Sequence, residues 1–146
     1  MANVQTSIDI GAPVQRVWEL VTDLGRLGDW VTIHRDFPDA PPAEVKEGTR
    51  FNQTLTLAGT PFAVEWTAVE VDGPERLSWD GTGPAGTTAR TTYSLSGQNG
   101  RTRFDYHNEF VLPAGELGQA AGGVVSGYAE REAEASLARL KQIAEG

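Results

Sequence analysis

Two histidines carry most of the acid–base chemistry open to this chain, which contains no cysteine. His34 follows Trp30 by four residues, and a histidine can donate or accept a proton near neutral pH. The same position also suits a hydrogen-bonded loop histidine that takes no part in catalysis. His107 alternates with Asp105 and Glu109, so we expect it to face solvent from a strand. A catalytic role is therefore open for His34 and is not indicated for His107.

Asn108 is a second polar candidate, because it lies between Tyr106 and Phe110 on the face of a strand that is expected to point inward. A buried amide without a partner costs about 1–3 kcal/mol, so we expect Asn108 to pair with Tyr93, with a ligand or with water. Structural pairing and ligand contact both remain open for it. The weak catalytic candidates are therefore His34, Tyr93 and Asn108, and they do not form a coherent catalytic set.

Large aromatic side chains recur on several neighbouring predicted strands. They suit a protein core, and they also suit a flat apolar ligand. Together with the polar candidates they make up the predicted ligand-binding set: Trp30, His34, Phe51, Trp66, Trp79, Tyr93, Tyr106, Asn108, Phe110 and Tyr128.

Two glycine motifs match catalytic or nucleotide-binding patterns only in part. Residues Gly81–Gly86 fit G-x-G-x-x-G, a dinucleotide pattern that requires a helix directly after the glycines. The run Thr87–Tyr93 is rich in β-branched residues and predicts a strand there, so we interpret the motif as a hairpin loop. Residues Gly123–Gly127 resemble a serine nucleophile elbow, but they have one residue too many and begin a predicted helix.

Potential metal ligands are sparse throughout the chain. A zinc site needs three or four clustered ligands. Two groups of potential ligands occur in the sequence: His34 with Asp36 and Asp39, and His107 with Glu109. They supply only three and two ligands, in registers that do not suit a metal site. We therefore predict no metal and no other cofactor.

The elements that must position these residues divide the chain into a strand-rich part and a helical part. From Val124 to Glu145 apolar residues recur at three- and four-residue steps, which predicts one long amphipathic helix. From about Thr49 to Leu112 the chain alternates between apolar and polar residues and predicts a series of strands. A helix is only about 10–12 Å across, whereas six or seven strands make a sheet about 30 Å wide. We therefore expect a sheet that curls around the helix and leaves a ligand chamber.

The segment before these strands predicts one strand and two short helices. Asn3–Ile10 forms the strand, a first helix follows Pro13, and Asp23 is expected to cap a second helix that ends at Gly28. The loop that follows includes His34. This order indicates an α+β fold with an antiparallel sheet.

Two local signals refine the strand region. Val69 and Val71 reverse the parity of the preceding alternation, which predicts a bulge or a strand buried on both faces. Asn99-Gly100 predicts a tight hairpin, because both residues tolerate positive φ.

Composition limits the classes of partner. The net charge is −8, with 12 basic residues scattered among 20 acidic ones, so we expect no binding to nucleic acid or to an anionic membrane surface. We identify no signal peptide and no apolar stretch that could span a bilayer. The expectation is a cytoplasmic monomer or homodimer that binds a small hydrophobic ligand.

Four features follow one another along the chain: the strand-to-helix opening Ile8–Leu20, the pair Asp23-Leu24 with Trp30, the turn Glu70–Leu77, and the long C-terminal helix. Together they resemble the START-like (Bet v 1-like) superfamily, in its polyketide cyclase/dehydrase and lipid-transport branch (SRPBCC). The resemblance implies a single domain over residues 1–146 with a helix-grip fold, in which about seven antiparallel strands clasp the last helix.

The resemblance also implies function. Members of the superfamily bind lipids, sterols, plant hormones or polyketides, and some cyclise polyketides with an arginine beside tyrosine, serine or histidine. Only Arg90 could supply such a cation, and its parity opposite to Tyr93 places it outside the chamber. The segment Trp30–His34 resembles an actinobacterial subgroup that includes a toxin of a toxin–antitoxin pair.

Three functional hypotheses follow. The first is binding of a small apolar or aromatic molecule, lipid- or polyketide-like. The second is an aromatase or cyclase that uses polar groups of the chamber. The third is a toxin that acts through a protein partner.

Overall fold

The computed structural model describes residues 2–57, 59–111 and 122–146. Its helices are α1 (Val14–Thr22), α2 (Leu27–Trp30) and α3 (Gly122–Glu145), with short 3₁₀ turns at Leu24–Arg26 and Pro84–Gly86. Its strands are β1 (Ala2–Ile10), β2 (His34–Asp36), β3 (Arg50–Leu57), β4 (Thr60–Asp72), β5 (Arg76–Thr82), β6 (Thr88–Gln98) and β7 (Arg101–Val111).

The seven strands form one sheet in the order β1-β7-β6-β5-β4-β3-β2, and every neighbouring pair is antiparallel. The sheet is curled into a half-barrel, with α3 as its C-terminal helix. The predicted α+β helix-grip fold is confirmed.

The two local signals in the strand region are also confirmed. The register between β4 and β5 shifts between Ala68 and Glu70, which is the bulge that the parity change predicted. Asn99 and Gly100 have φ values of 53° and 76° and connect β6 to β7 in a tight hairpin. Each feature follows from local backbone geometry, which explains why the sequence reveals it.

The region between β1 and β3 differs from the prediction in three details. The second helix continues through Gly28 to Trp30, and Asp23 makes no side-chain capping bond. His34 begins the short strand β2 instead of lying in a loop. Three residues are too few for a recognisable alternation, so β2 exists because β3 offers an edge to pair with.

Side chains at the C-terminal end of α3 attach the helix to the opening segment of the chain. The backbone N–H of Gly11 donates to Glu145 Oε2 at 2.7 Å, and Lys141 Nζ donates to the carbonyl of Asp9 at 2.8 Å. Arg16 Nε donates to the carbonyl of Ala144 at 2.8 Å. These bonds fix the position of α3 relative to β1 and α1.

The predicted helical face of α3 points into the core where its side chains are described. Leu137, Leu140 and Ala144 are buried with residues of β1 and α1, whereas Ala133 joins a smaller buried cluster with Val4 and Phe110. Val125, which the periodicity also placed on this face, has a side chain outside the described residues. No helix within the described ranges is both long enough and apolar enough to cross a bilayer.

Candidate ligand-binding cavity

A cavity of about 150 Å³ lies between the inner face of the sheet, the short helices and α3. Its described lining is mostly apolar and comes from α1, α2, six of the strands and α3. Such a lining excludes strongly hydrated groups and favours an apolar or aromatic molecule.

The sheet contributes an aromatic wall because alternate residues of each strand point to the same face. Phe51 and Trp79 meet edge to face with ring centroids 5.0 Å apart. The rings of Tyr93 and Tyr106 stack with centroids 6.1 Å apart on paired positions of β6 and β7. Aromatic rings therefore line the cavity from both β3–β5 and β6–β7.

Small side chains on α3 form the opposite wall. Ala129, Ala133 and Ser136 line the cavity one turn apart, and Leu137 closes one end. Because these side chains are small, they leave space between the helix and the sheet that larger side chains would fill.

Trp30 enters the cavity from the end of α2 and is only 2% exposed. Its ring meets Tyr93 edge to face at a centroid distance of 5.9 Å. The following loop is tied to α3, because Thr32 N donates to Ser136 Oγ at 3.0 Å. Trp30 is thus held between the short helices, the sheet and α3. Among the described residues no group hydrogen bonds to its buried indole Nε1.

A second tryptophan in the wall belongs to a hydrogen-bonded chain that ends at His34. Trp66 Nε1 donates to Gln53 Oε1 at 2.8 Å, and Gln53 Nε2 lies 2.8 Å from His34 Nδ1. An indole N–H can only donate, so the amide oxygen of Gln53 must face Trp66 and its NH₂ group must donate to His34. This arrangement assigns the remaining imidazole proton of neutral His34 to Nε2.

Burial also keeps His34 neutral. Desolvation lowers the pKa of His34 below its usual 6.5, against a smaller raising effect of the nearby Asp36 carboxylate. His34 packs against Phe37 with ring centroids 4.6 Å apart and is not among the residues that line the cavity. It reaches the cavity only through Gln53.

Two tyrosines in the wall are uncharged hydrogen-bonding groups. Burial raises the pKa of Tyr106 to about 12, against a smaller lowering effect of the Asn108 side chain. Burial is also the main cause that raises the pKa of Tyr93, with a contribution from the neighbouring Tyr106. Both hydroxyls therefore keep their protons at physiological pH and can donate them in hydrogen bonds.

Asn108 lines the cavity but does not pair with the side chain that the sequence suggested. Thr91 Oγ1 donates to Asn108 Oδ1 at 3.2 Å across the β6–β7 pair, in place of the expected Tyr93. Thr91 and Asn108 are register partners, so their side chains meet directly, whereas Tyr93 is opposite Tyr106.

Charged groups are rare in the described lining. Glu132 is its one carboxylate, and it includes no lysine, arginine or histidine. Arg90 lies outside the cavity, as its parity predicted, and bonds Asp80 with both Nε and Nη2 at 2.6 and 2.8 Å. Within the described ranges there is no group of three or more residues suited to hold a metal ion.

The structure brings eight of the ten predicted ligand-binding residues to the cavity surface: Trp30, Phe51, Trp66, Trp79, Tyr93, Tyr106, Asn108 and Phe110. His34 is behind Gln53, and Tyr128 on α3 is directed to Glu132, with a distance of 3.5 Å between Tyr128 Oη and Glu132 Oε1. That any of them binds a ligand stays a prediction.

Sequence reasoning missed six polar residues of the described lining: Gln53, Thr87, Thr88, Thr91, Glu132 and Ser136. The alternation of β3 could have identified Gln53, because this residue shares an inward face with Phe51 and Leu55. Glu132 and Ser136 are four residues apart on α3, beside the periodic alanines, and that spacing could have identified them.

The glycine-rich segment after β5 has the structure of a hairpin loop. A 3₁₀ turn at Pro84–Gly86 leads into β6, and no helix follows. Gly81 itself lines the cavity opposite Trp66, and a Cβ atom at this position would lie 2.7 Å from the Trp66 ring. The glycine is needed there for close packing. The side chain of Ser126, in the elbow-like motif, lies outside the described residues.

The comparisons with known proteins agree with this architecture. A family model described as polyketide cyclase / dehydrase and lipid transport matches residues 1–145. The chain belongs to this family. The predicted membership of the START-like superfamily is therefore confirmed.

Relatives in sequence come from Mycobacterium tuberculosis. An uncharacterized protein of strain H37Rv is 29% identical over 147 residues, which cover 99% of this chain and 98% of the relative. A protein named as a toxin in the same strain is 31% identical over 86 residues, which cover 59% of this chain and 60% of the relative.

Solved structures show the same fold at low identity. The Zhui aromatase/cyclase from Streptomyces sp. R1128 superposes with a TM-score of 0.81 at 18% identity, covering 98% of this chain and 93% of that one. A START superfamily protein from Mycobacterium smegmatis gives a TM-score of 0.76 at 13% identity, covering 99% and 98%. At such identities the likeness concerns the fold alone.

Proposed function

We propose that this protein binds a small apolar or aromatic molecule in the cavity between its sheet and α3. The observation that carries the proposal is the contrast between the two walls: the sheet presents aromatic rings, whereas α3 presents Ala129, Ala133 and Ser136. A ligand between them would gain apolar burial on both sides. Family membership supports the same kind of activity.

The size of the cavity narrows the ligand class. Sites for drug-sized ligands span roughly 300–1,000 Å³, whereas an apolar cavity of about 150 Å³ in an engineered protein takes up benzene. The volume here is about 150 Å³, which suits a single aromatic ring. A full lipid or polyketide chain would require the walls to move apart.

Binding agrees with the geometry better than proton transfer does. An aromatase or cyclase needs a group that exchanges protons at the ligand. His34 is separated from the cavity by Gln53, and burial raises the pKa of Tyr93 and Tyr106 far above neutral pH. The two tyrosine hydroxyls are instead suited to orient a ligand by hydrogen bonds.

The test is calorimetric titration with single-ring aromatics (ethylbenzene, acetophenone and anisole) against the intact chain and the variant Ala133→Leu. The larger side chain should fill the cavity and weaken binding by at least about tenfold. It should keep the free energy of unfolding within about 1.5 kcal/mol, because the added methylenes enter existing space.

Ala138→Leu is the matched control, since Ala138 is exposed on the same helix. This variant should bind like the unmodified chain. If none of the three aromatics binds the unmodified chain, or if Ala133→Leu binds all of them unchanged, the proposed function is wrong.

A toxin that acts through a protein partner is the second candidate. It is supported by the toxin relative, whose match covers 59% of this chain, and by an acidic charge balance that would suit a basic partner. Induced expression in an actinobacterial host should then stop growth. Normal growth, together with purification that recovers no stoichiometric partner, would remove this candidate. The cytoplasmic location and the monomeric or homodimeric state stay predictions.

A further inference from the structure

The buried indole of Trp30 points to a specific chemical group on the ligand. Trp30 lines the cavity, is 2% exposed, and has an Nε1–H group without a partner among the described residues. A buried donor left unpaired costs about 1–3 kcal/mol. An acceptor supplied by the ligand would remove that cost.

Trp66 provides an internal comparison within the same lining. Its Nε1 donates to Gln53 Oε1 at 2.8 Å, so the protein itself satisfies this second indole. On α3, the cavity-lining hydroxyl of Ser136 is also engaged within the protein, because Ser136 Oγ accepts from Thr32 N and donates to the carbonyl of Glu132 at 2.8 Å. Of these two indole nitrogens, Trp30 Nε1 is therefore the one without a partner among the described residues.

The charges of the lining decide between acceptor types. A carboxylate on the ligand would find no lysine, arginine or histidine among the described lining residues, and it would share the cavity with Glu132. Burying an unpaired anion beside another carboxylate is strongly unfavourable. A neutral oxygen acceptor avoids both costs.

We infer that the ligand is a neutral, single-ring aromatic molecule with a carbonyl or ether oxygen, and that this oxygen accepts a hydrogen bond from Trp30 Nε1. The inference rests on the proposed function and specifies its ligand class. The aromatic ring would lie between the sheet and the alanines of α3, with its oxygen directed to the end of α2.

Three probes of similar size separate the contributions of the ring, the acceptor and the charge to binding. Ethylbenzene has no acceptor, acetophenone has a neutral carbonyl, and benzoate has an anionic carboxylate. Calorimetry should give no measurable binding of benzoate. The ratio of the two Kd values, ethylbenzene over acetophenone, should fall by about threefold to tenfold in Trp30→Phe, since a net hydrogen bond contributes about 0.5–1.5 kcal/mol.

Trp66→Phe is the matched control, because it removes the same indole nitrogen from the same lining at a position where that nitrogen already has a partner. Its Kd ratio should equal that of the unmodified chain. This comparison separates a lost hydrogen bond from a general widening of the cavity.

A second measurement does not depend on the folding of a variant. In ¹H–¹⁵N correlation spectra of the unmodified chain, saturating acetophenone should move the Trp30 indole proton downfield relative to its position with ethylbenzene. The Trp66 indole proton should keep the same position with both probes.

The outcomes are distinct. Suppose that both probes bind and that the Kd ratio is the same in the unmodified chain, Trp30→Phe and Trp66→Phe. If the Trp30 indole resonance also has the same position with both probes, the inference is wrong and the proposed function is intact. Tight binding of benzoate would also overturn it. No binding of any probe would overturn the proposed function and the inference together.

Discussion

The two halves of α3 face the same curled sheet with side chains of different size. The C-terminal half presents Leu140, which is 0% exposed, and Ala144 to a dense core formed with β1 and α1. The preceding turns present Ala129 and Ala133 to the cavity. One helix therefore supports a packed region and a hollow region without any change in its backbone.

This difference assigns stabilisation of the fold to the C-terminal half of α3 and ligand binding to the preceding turns. The packed half also carries the bonds from Glu145 to Gly11 and from Lys141 to Asp9, which hold α3 in place. The hollow half can then omit side-chain volume, since bonds at the C-terminal end of the helix already hold it against β1 and α1. The following changes test this separation, from the largest expected effect to the smallest.

Leu140→Ala should lower the free energy of unfolding by about 2–5 kcal/mol, because it opens a void in a region that is otherwise filled. Urea denaturation monitored by circular dichroism measures the change. Leu140→Met keeps most of the volume and should lose less than about 1.5 kcal/mol. A loss below about 1 kcal/mol for the alanine variant would show that this half of the helix is not densely packed.

Gly81→Ala should disturb the hollow region from the sheet side. The new Cβ would lie 2.7 Å from the ring of Trp66 and 3.0 Å from Val64, so the indole that donates to Gln53 must shift. We expect a loss of about 1–3 kcal/mol in the free energy of unfolding and a changed tryptophan emission spectrum.

Gly127→Ala is the matched control for that substitution. Among the described residues, a Cβ on Gly127 would meet only the flexible end of Arg131 at 3.6 Å, so the free energy of unfolding should rise by about 0.5–1 kcal/mol. Equal effects of the two substitutions would contradict the close packing assigned to Gly81.

The smallest effect concerns pH. The folded pKa of His34 is lower than its unfolded value of 6.5, so as pH falls the unfolded chain takes up this proton first. The free energy of unfolding should therefore be highest above about pH 6.5 and decrease as pH falls towards the folded pKa. In His34→Phe this part of the decrease should be absent. Urea denaturation at a series of pH values measures the free energy of unfolding of both proteins. If it depends on pH in the same way in the unmodified chain and in His34→Phe, the role of His34 in the Gln53–Trp66 chain is contradicted.

Most of the fold was predictable because its signals are local. The inward faces of β3 to β7 follow from the alternation of apolar and polar residues, and the hairpin at Asn99-Gly100 follows from the φ values that these residues tolerate. The periodicity of α3 placed Ala133 and Leu140 on the inward face, where both are buried. For the same reason, eight of the predicted site residues line the cavity.

The polar part of the site was less predictable. The sequence shows that Gln53 and Asn108 point inward, but their partners lie on other strands, so pairing with His34 and Thr91 depends on register. The indole N–H of Trp30 has no partner within the part of the chain that the structure describes, and this depends on its surroundings, which no local pattern contains. Strand β2 likewise exists only through its pairing with β3.

The sequence by itself determined which residues face inward, since a strand repeats every two residues and a helix every 3.6 whatever surrounds them. It also determined that α3 would turn Ala129 and Ala133 inward and that the strands would turn aromatic rings inward. Only the tertiary structure decided that a space of about 150 Å³ lies between those walls and that one indole N–H there has no partner among the described residues. The physical reason is that volume and hydrogen-bond pairing depend on the distances between elements far apart in the chain, which packing sets and periodicity does not.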